Sequence, residues 1–174
     1  MKLYNTISRK NETFPIDRQP VKMYVCGITP YAPAHVGHAM RAVVFDVLRR
    51  YLEYLGTKVK HVENFTDIDD KMIDAAIKED ISTNELAEKN IDKYLEEMDT
   101  LNVLRAHVYP KATEEIEAIV EIINTLIENG FAYEIDGDVY FRVKNDTDYG
   151  KLSGRTLDDM MAGARVKINE KKED

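Results

Sequence analysis

Two histidines three residues apart, His35 and His38, are the side chains of this sequence best placed to do chemistry, with Gly37 between them. They follow the run Tyr24-Val25-Cys26-Gly27-Ile28-Thr29-Pro30-Tyr31-Ala32-Pro33-Ala34 and stand where a helical pattern begins. A three-residue spacing puts both imidazoles on one face of a first turn. A helix N-terminus offers free N–H groups and a partial positive charge to an anion. The imidazoles add donors for phosphate oxygens. Gly37, lacking a Cβ, lets a flat ring or a phosphate approach the backbone. The group reads as a nucleoside-triphosphate site. The competing reading is two surface histidines and a packing glycine. For a lone cysteine such as Cys26 in an apolar run, residue type alone favours a buried structural thiol.

The elements that would position these residues are legible in the pattern. Lys22 to Ile28 (KMYVCGI) predicts a short buried strand. After the turn-like stretch Thr29 to Ala34, the residues Val44, Val47, Leu48, Tyr51, Leu52 and Leu55 fall at helical spacing, and Gly56 closes the helix. Lys58 to Phe65 predicts a second strand. Strand, helix and strand at this spacing make a βαβ unit with parallel strands and a right-handed crossover. The ligand site then lies at the carboxyl end of the strands, where open α/β sheets bind. Two helices follow, one over about 69–78. The next is opened by Ser82 with Glu85 three residues on, a capping-box spacing, and carries Leu86, Ile91, Leu95, Met98 and Leu101. His107 to Tyr109 reads as a third short strand. Ile116, Ile119, Val120, Ile123, Leu126 and Ile127 form another apolar stripe, ended by Gly130. Phe131 to Ile135 and Val139 to Val143 flank Asp136-Gly137, a hairpin signal. A short helix near Leu157 to Met161 and a strand-like piece over Ala164 to Ile168 complete the expectations.

Composition narrows the class. The 174 residues, 44% hydrophobic and 32% charged with 8 Gly and 5 Pro, suit one globular domain and exclude collagen, fibrous repeats and long disordered tracts. No apolar run approaches the roughly 18 residues of a membrane helix, and the N-terminus lacks a signal-peptide core, so a cytoplasmic protein is expected. One cysteine forbids an internal disulfide and a multi-cysteine metal site within the chain. The net charge of −8 is local: 67–100 holds 12 acidic and 4 basic side chains, and the rest balances. This segment reads as the solvated face of a helix pair. Phosphate repulsion makes it an unsuitable nucleic-acid surface.

The signature as a whole resembles class I aminoacyl-tRNA synthetases, with HVGH in place of their HIGH tetrapeptide. More narrowly it is similar to the cysteine-specific branch of that family. The resemblance is carried by Tyr24-Val25-Cys26-Gly27, Tyr31, His35-Val36-Gly37-His38, and Asn64-Phe65-Thr66-Asp67-Ile68-Asp69-Asp70-Lys71. Pro110-Lys111-Ala112-Thr113, Gly137-Asp138-Val139, Tyr149-Gly150-Lys151-Leu152-Ser153 and Ala162-Gly163-Ala164-Arg165-Val166 extend it over essentially the whole chain. Ala32 departs from it, since many members carry an acidic residue after the tyrosine.

The resemblance implies an α/β fold: the first half of a Rossmann-like, parallel-sheet nucleotide-binding domain over 1–130, and the beginning of a small connective insertion over 131–174. It implies that His35, Gly37 and His38 bind ATP, His35 and His38 stabilising phosphate charge in catalysis. It places Cys26, Gly27 and Thr66 at the substrate cysteine, with Cys26 as one ligand of a zinc ion. A soft metal separates thiol from hydroxyl better than shape does. Mg²⁺ accompanies ATP, and tRNA is the second substrate. Asp67, Asp69 and Asp70 read as helix N-terminal charges without a catalytic role. The family's other zinc ligands, its Lys-Met-Ser-Lys-Ser-type loop and its anticodon-binding region are not found in the sequence. The expectation is therefore an N-terminal catalytic piece, inactive alone. Three alternatives stand beside it: a related ligase that joins cysteine to an amino-sugar inositol in mycothiol synthesis, a non-catalytic remnant that binds nucleotide or a partner, and an HxGH nucleotidyltransferase.

Overall fold

The computed structural model describes residues 1–17 and 19–156. The expected pieces near 157–161 and 164–168 lie outside the described residues. Contacts divide the described residues into two units, one within Pro15–Ile116 and one formed by Met1–Phe14 with residues 117–156.

The first unit holds the site. Its strands are β3 (Val21–Ile28) and β4 (Val59–Phe65), numbered after the hairpin β1 (Lys2–Asn5) and β2 (Lys10–Thr13) of the other unit. β3 and β4 pair in parallel, with Val21 opposite Val59 and Val25 opposite Glu63, as the βαβ reading requires. On the far side of β4, Glu63 N–H donates to Val108 O at 3.1 Å and Phe65 N–H to Pro110 O at 2.9 Å. The expected third strand is thus present as isolated parallel bridges, Val62 to Val108 and Phe65 to Lys111. Pro110 interrupts it, because proline cannot donate to a ladder.

The helices are α1 (Val36–Tyr54), α2 (Asp70–Glu79) and α3 (Thr83–Thr100). Asp69 caps α2 by accepting from Lys71 N–H at 2.8 Å, and Ser82 caps α3 by accepting from Glu85 N–H at 3.1 Å. A single core joins them: Ile28, Ala42, Phe65, Met72, Ala76, Leu86, Ala87, Ile91, Tyr94 and Met98. Phe65 lies at its centre, edge-on to Tyr94 and stacked on Tyr109 at a centroid distance of 5.2 Å. Most carboxylates of the acidic segment face solvent, as expected; Asp67 is buried.

Two expectations need correction. β3 is buried on one face only: Val21, Met23 and Val25 are covered, while Lys22, Tyr24 and Cys26 point to solvent. The run was apolar enough to suggest burial on both faces, but an alternating strand needs only one. On α1 the buried positions are Ala42, Asp46, Arg49 and Leu52, while Val44, Val47, Tyr51 and Leu55 of the predicted stripe are exposed. Helical period identifies an apolar face without saying what it meets. Here the face turned inward is narrow and partly polar, because it holds bonded charged side chains: Asp46 accepts from Arg50 Nε at 2.7 Å and from Leu104 N–H at 3.0 Å, and Arg49 donates to Arg105 O at 2.8 Å.

The second unit contains the hairpin β1–β2, which the sequence reading missed, the helix α4 (Ile116–Glu128), and the hairpin β5 (Ala132–Ile135) and β6 (Asp138–Phe141). Asp136 and Gly137 both have positive φ, the conformation a two-residue hairpin turn demands. No residue of α4 is fully buried; Ile123, Leu126 and Ile127 are half-covered. No described helix is long and apolar enough to cross a membrane.

Candidate functional site

The first turn of α1 is capped by its own histidines. His35 is the N-cap residue, and its Nδ1 accepts from Gly37 N–H at 3.1 Å. His38 reaches back, so that its Nδ1 accepts from His35 N–H at 3.2 Å. This is a capping box made of imidazoles in place of the usual Ser/Thr and Glu/Gln. The backbone N–H must be the donor in both bonds, so both Nδ1 atoms are unprotonated acceptors. The neutral rings therefore carry their protons on Nε2. They stack with centroids 3.9 Å apart at an interplanar angle of 17°. Each of the two stacked rings is thus left with one Nε2–H donor beside the helix N-terminus. His38 is held below its ordinary pKa by burial, and secondarily by the neighbouring His35 and Arg41. That keeps its Nδ1 free to accept.

Gly37 serves this cap directly. A Cβ there would stand 2.9 Å from His35 Cε1 and 3.0 Å from its Nδ1. A side chain at this position would therefore press on the capping ring and displace it from its present place.

The second group gathers at the ends of β3 and β4. Asn64 bridges it: its Oδ1 accepts from Gly27 N–H at 2.9 Å and its Nδ2 donates to Thr66 Oγ1 at 3.2 Å. Thr66 N–H donates to Ile28 O at 2.9 Å. Gly27 and Thr66 are therefore brought together, with Cys26 next to Gly27 and exposed. A Cβ on Gly27 would fall 1.5 Å from Asn64 O. Only glycine allows the two strands to approach this closely. The turn after β3 is anchored from α3, where Asn90 Nδ2 donates to Pro30 O at 2.8 Å in a buried contact. Lys71 lies over the Tyr31 ring at 5.5 Å.

Asp69 and Asp70 stand at the N-terminus of α2 as expected, but Asp67 is buried and bonded to Thr113 rather than being a helix-end charge. Asp67 accepts from Thr113 N–H at 3.0 Å and from Thr113 Oγ1 at 2.5 Å, tying the end of β4 to the 3₁₀ turn Ala112–Glu114. Asp69 is the α2 cap and Asp70 sits in its first turn. Asn64, Arg41, Glu63, Tyr94 and Asn90 were given no role by sequence reasoning. The motif around Asn64 was visible, but its side-chain bridge depends on strand register. Among the described residues no three His, Cys, Asp or Glu side chains converge as a metal site. Cys26 is therefore not part of such a cluster among the described residues.

The family sequence model described as tRNA synthetases class I (C) catalytic domain matches residues 12–174. The chain belongs to that family. It is 55% identical over 174 residues to a cysteine–tRNA ligase of Dehalococcoides mccartyi, covering 99% of this chain and 38% of the relative. It is 53% identical over 175 residues to the cysteine–tRNA ligase of Caldicellulosiruptor saccharolyticus, covering 100% of this chain and 38% of the relative. The chain thus spans about 38% of the length of these curated relatives. Among solved structures, Mycobacterium tuberculosis methionyl-tRNA synthetase bound by methionyl-adenylate superposes with a TM-score of 0.60 at 19% identity, over 71% of this chain and 29% of that one. A second structure of the same enzyme in complex with methionyl-adenylate gives 0.57 at 20% identity, over 73% of this chain and 29% of that one. At such identity the likeness concerns the fold: an α/β, Rossmann-like catalytic domain with a parallel sheet.

Proposed function

We propose that this synthetase-family chain carries the ATP- and cysteine-binding groups of a cysteine–tRNA ligase, with residues 1–130 as the first half of the nucleotide-binding domain and 131–174 as the start of the connective insertion. The observation that carries the reading is the imidazole capping box. It spends both Nδ1 atoms on the helix and leaves an Nε2–H donor on each of two stacked rings, beside a helix N-terminus that already favours an anion.

In the reaction, a carboxylate oxygen of cysteine attacks the α-phosphorus of Mg²⁺·ATP. The bond from that phosphorus to the bridging oxygen breaks, pyrophosphate leaves, and cysteinyl-adenylate forms. The cysteinyl group then passes to the 3′ end of tRNA, releasing AMP. No protein nucleophile is needed. His35 and His38 donate from Nε2 to phosphate oxygens as charge shifts toward the leaving group, a fixed-donor role. Neutral imidazoles suffice, which agrees with the lowered pKa of His38. Gly37 keeps the cap intact and the backbone approachable. Cys26, Gly27 and Thr66 receive the substrate cysteine. Zinc, held by Cys26 together with further ligands, would favour sulfur over oxygen. Cysteine, ATP and tRNA are then the partners, in the cytoplasm.

The test is an ATP titration of the 174-residue chain followed by amide shifts. Binding in the millimolar range, about 4 kcal/mol, is expected, with shifts centred on 27–40 and lost in His38→Ala. Shifts confined to other regions, or unchanged by that substitution, contradict the reading.

A further inference from the structure

The strand that carries Cys26 is irregular at that residue. β3 and β4 stay in register from Val21–Val59 to Val25–Glu63, then resume at Ile28–Phe65 with a register shift between. Cys26 and Gly27 fall inside this bulge. A bulge takes residues out of the ladder and re-aims their side chains. Their polar groups need other partners, and the structure supplies them from side chains. Asn64 Oδ1 takes the Gly27 N–H. Arg41 takes both carbonyls: its Nη1 donates to Gly27 O at 2.7 Å and also to Cys26 O.

Arg41 is itself braced. It sits on α1 one turn after His38, and its Nη2 donates to Glu63 Oε1 at 2.6 Å and to Tyr94 Oη at 3.0 Å. Tyr94 Oη donates to the same Glu63 oxygen at 2.7 Å. The Glu63 side chain is 6% exposed and Arg41 21%. Tyr94 is buried in the core, and its phenol is pushed up, first by burial and then by the Glu63 charge, so it stays a donor. One guanidinium therefore joins the bulge to β4 and α3 while riding on the histidine helix. An ion pair whose only task was to neutralise buried Glu63 would not require the two bulge carbonyls. A lysine could supply the charge but not the planar fork that reaches all four acceptors.

We propose that Arg41, braced by Glu63 and Tyr94, is a positioning residue that fixes the Cys26–Gly27 bulge and thereby aims the Cys26 thiol for recognition of a thiol-bearing amino acid. The recognition half of this statement rests on the function proposed above; the bulge half does not.

The experiment compares the 174-residue chain with Arg41→Lys and Tyr94→Phe. The first readout is the backbone ¹³C carbonyl shifts of Cys26 and Gly27 without ligand. Both should move in Arg41→Lys, and less in Tyr94→Phe, while Val62 in the regular ladder stays in place. The second readout is titration with L-cysteine, L-serine and ATP. In Arg41→Lys the cysteine dissociation constant should rise roughly tenfold or more, as for loss of a charged hydrogen bond, with the ATP response at His35 and His38 retained. A role in stability alone would weaken both responses together. Unmoved carbonyls in a folded Arg41→Lys chain overturn the proposal, as does an equal loss of cysteine and ATP binding. If Arg41→Lys does not fold, the Tyr94→Phe carbonyl shifts decide in the same way. If the unaltered chain shows no cysteine-dependent shift at 26, 27 and 66, the proposed amino-acid pocket fails, and the carbonyl shifts still judge the bulge.

Discussion

Gly27→Ala puts the tightest contact at the site under direct load. The new Cβ would lie 1.5 Å from Asn64 O and 2.6 Å from Asn64 C, both backbone atoms that no rotamer change can move aside. To reach ordinary contact the strands must part by about 2 Å, a sizeable fraction of the ~4.8 Å between neighbouring strands. Overpacking of this kind costs roughly 1–3 kcal/mol. Parting the strands also strains Gly27 N–H to Asn64 Oδ1 and Thr66 N–H to Ile28 O, each 2.9 Å and each worth about 1 kcal/mol net. The expected total is roughly 3–5 kcal/mol, a large share of a typical folding free energy. Thermal unfolding followed by circular dichroism should show Tm falling by about 6–20 °C. The amide shifts of Cys26 and Thr66 should move as well. A Tm within 2 °C of the parent with those shifts unchanged would refute the claim that glycine is required by the strand approach.

Leu52→Ala, at a side chain only 1% exposed, should cost about 2–5 kcal/mol in urea unfolding, whereas Val44→Glu on the open face of α1 should change it by no more than about 0.5 kcal/mol. His61 is 5% exposed with neither ring nitrogen hydrogen-bonded, and its pKa is lowered by burial first, then by the charges of Arg49 and His107, with Asp46 opposing. The unfolded chain therefore binds a proton that the folded chain refuses. Stability should be full above about pH 6.5 and fall as the pH drops toward the lowered folded value, by up to about 1.4 kcal/mol per pH unit; His61→Leu should flatten that fall in urea midpoints taken from pH 7.5 to 5.5. Asp67→Ala should release Thr113 from the end of β4 and lower Tm, and amide exchange at Thr113 should speed up; an unprotected Thr113 in the parent would contradict the tie.

The βαβ unit, the Ser82 cap and the Asp136-Gly137 hairpin were legible because each is encoded within a few residues: alternation, a capping side chain, a turn pair. The N-terminal hairpin was not, since Lys10 to Thr13 is polar and fully exposed and carries no apolar alternation. At the site, HVGH announced itself through residue type and place. Its capping geometry did not, because histidine is rare as a cap and the bond pattern depends on ring orientation. Arg41, Glu63 and Tyr94 lie on three different elements up to 53 residues apart in sequence. Only the packed α1, β4 and α3 bring them together. The exposed stripe of α1 shows the same limit, for periodicity reports an apolar face and tertiary contacts decide what it touches.

The central claim is that His35 and His38 cap α1 through Nδ1 and offer Nε2–H to phosphate. Long-range ¹H–¹⁵N correlation of the imidazole rings at pH 7.5, with and without Mg²⁺·ATP, tests it directly. Both rings should show the neutral Nε2–H tautomer in the free chain, and on adding nucleotide both Nε2 resonances should shift while both Nδ1 atoms remain unprotonated. An Nδ1–H tautomer at either histidine, or Nε2 resonances indifferent to saturating nucleotide, would contradict it.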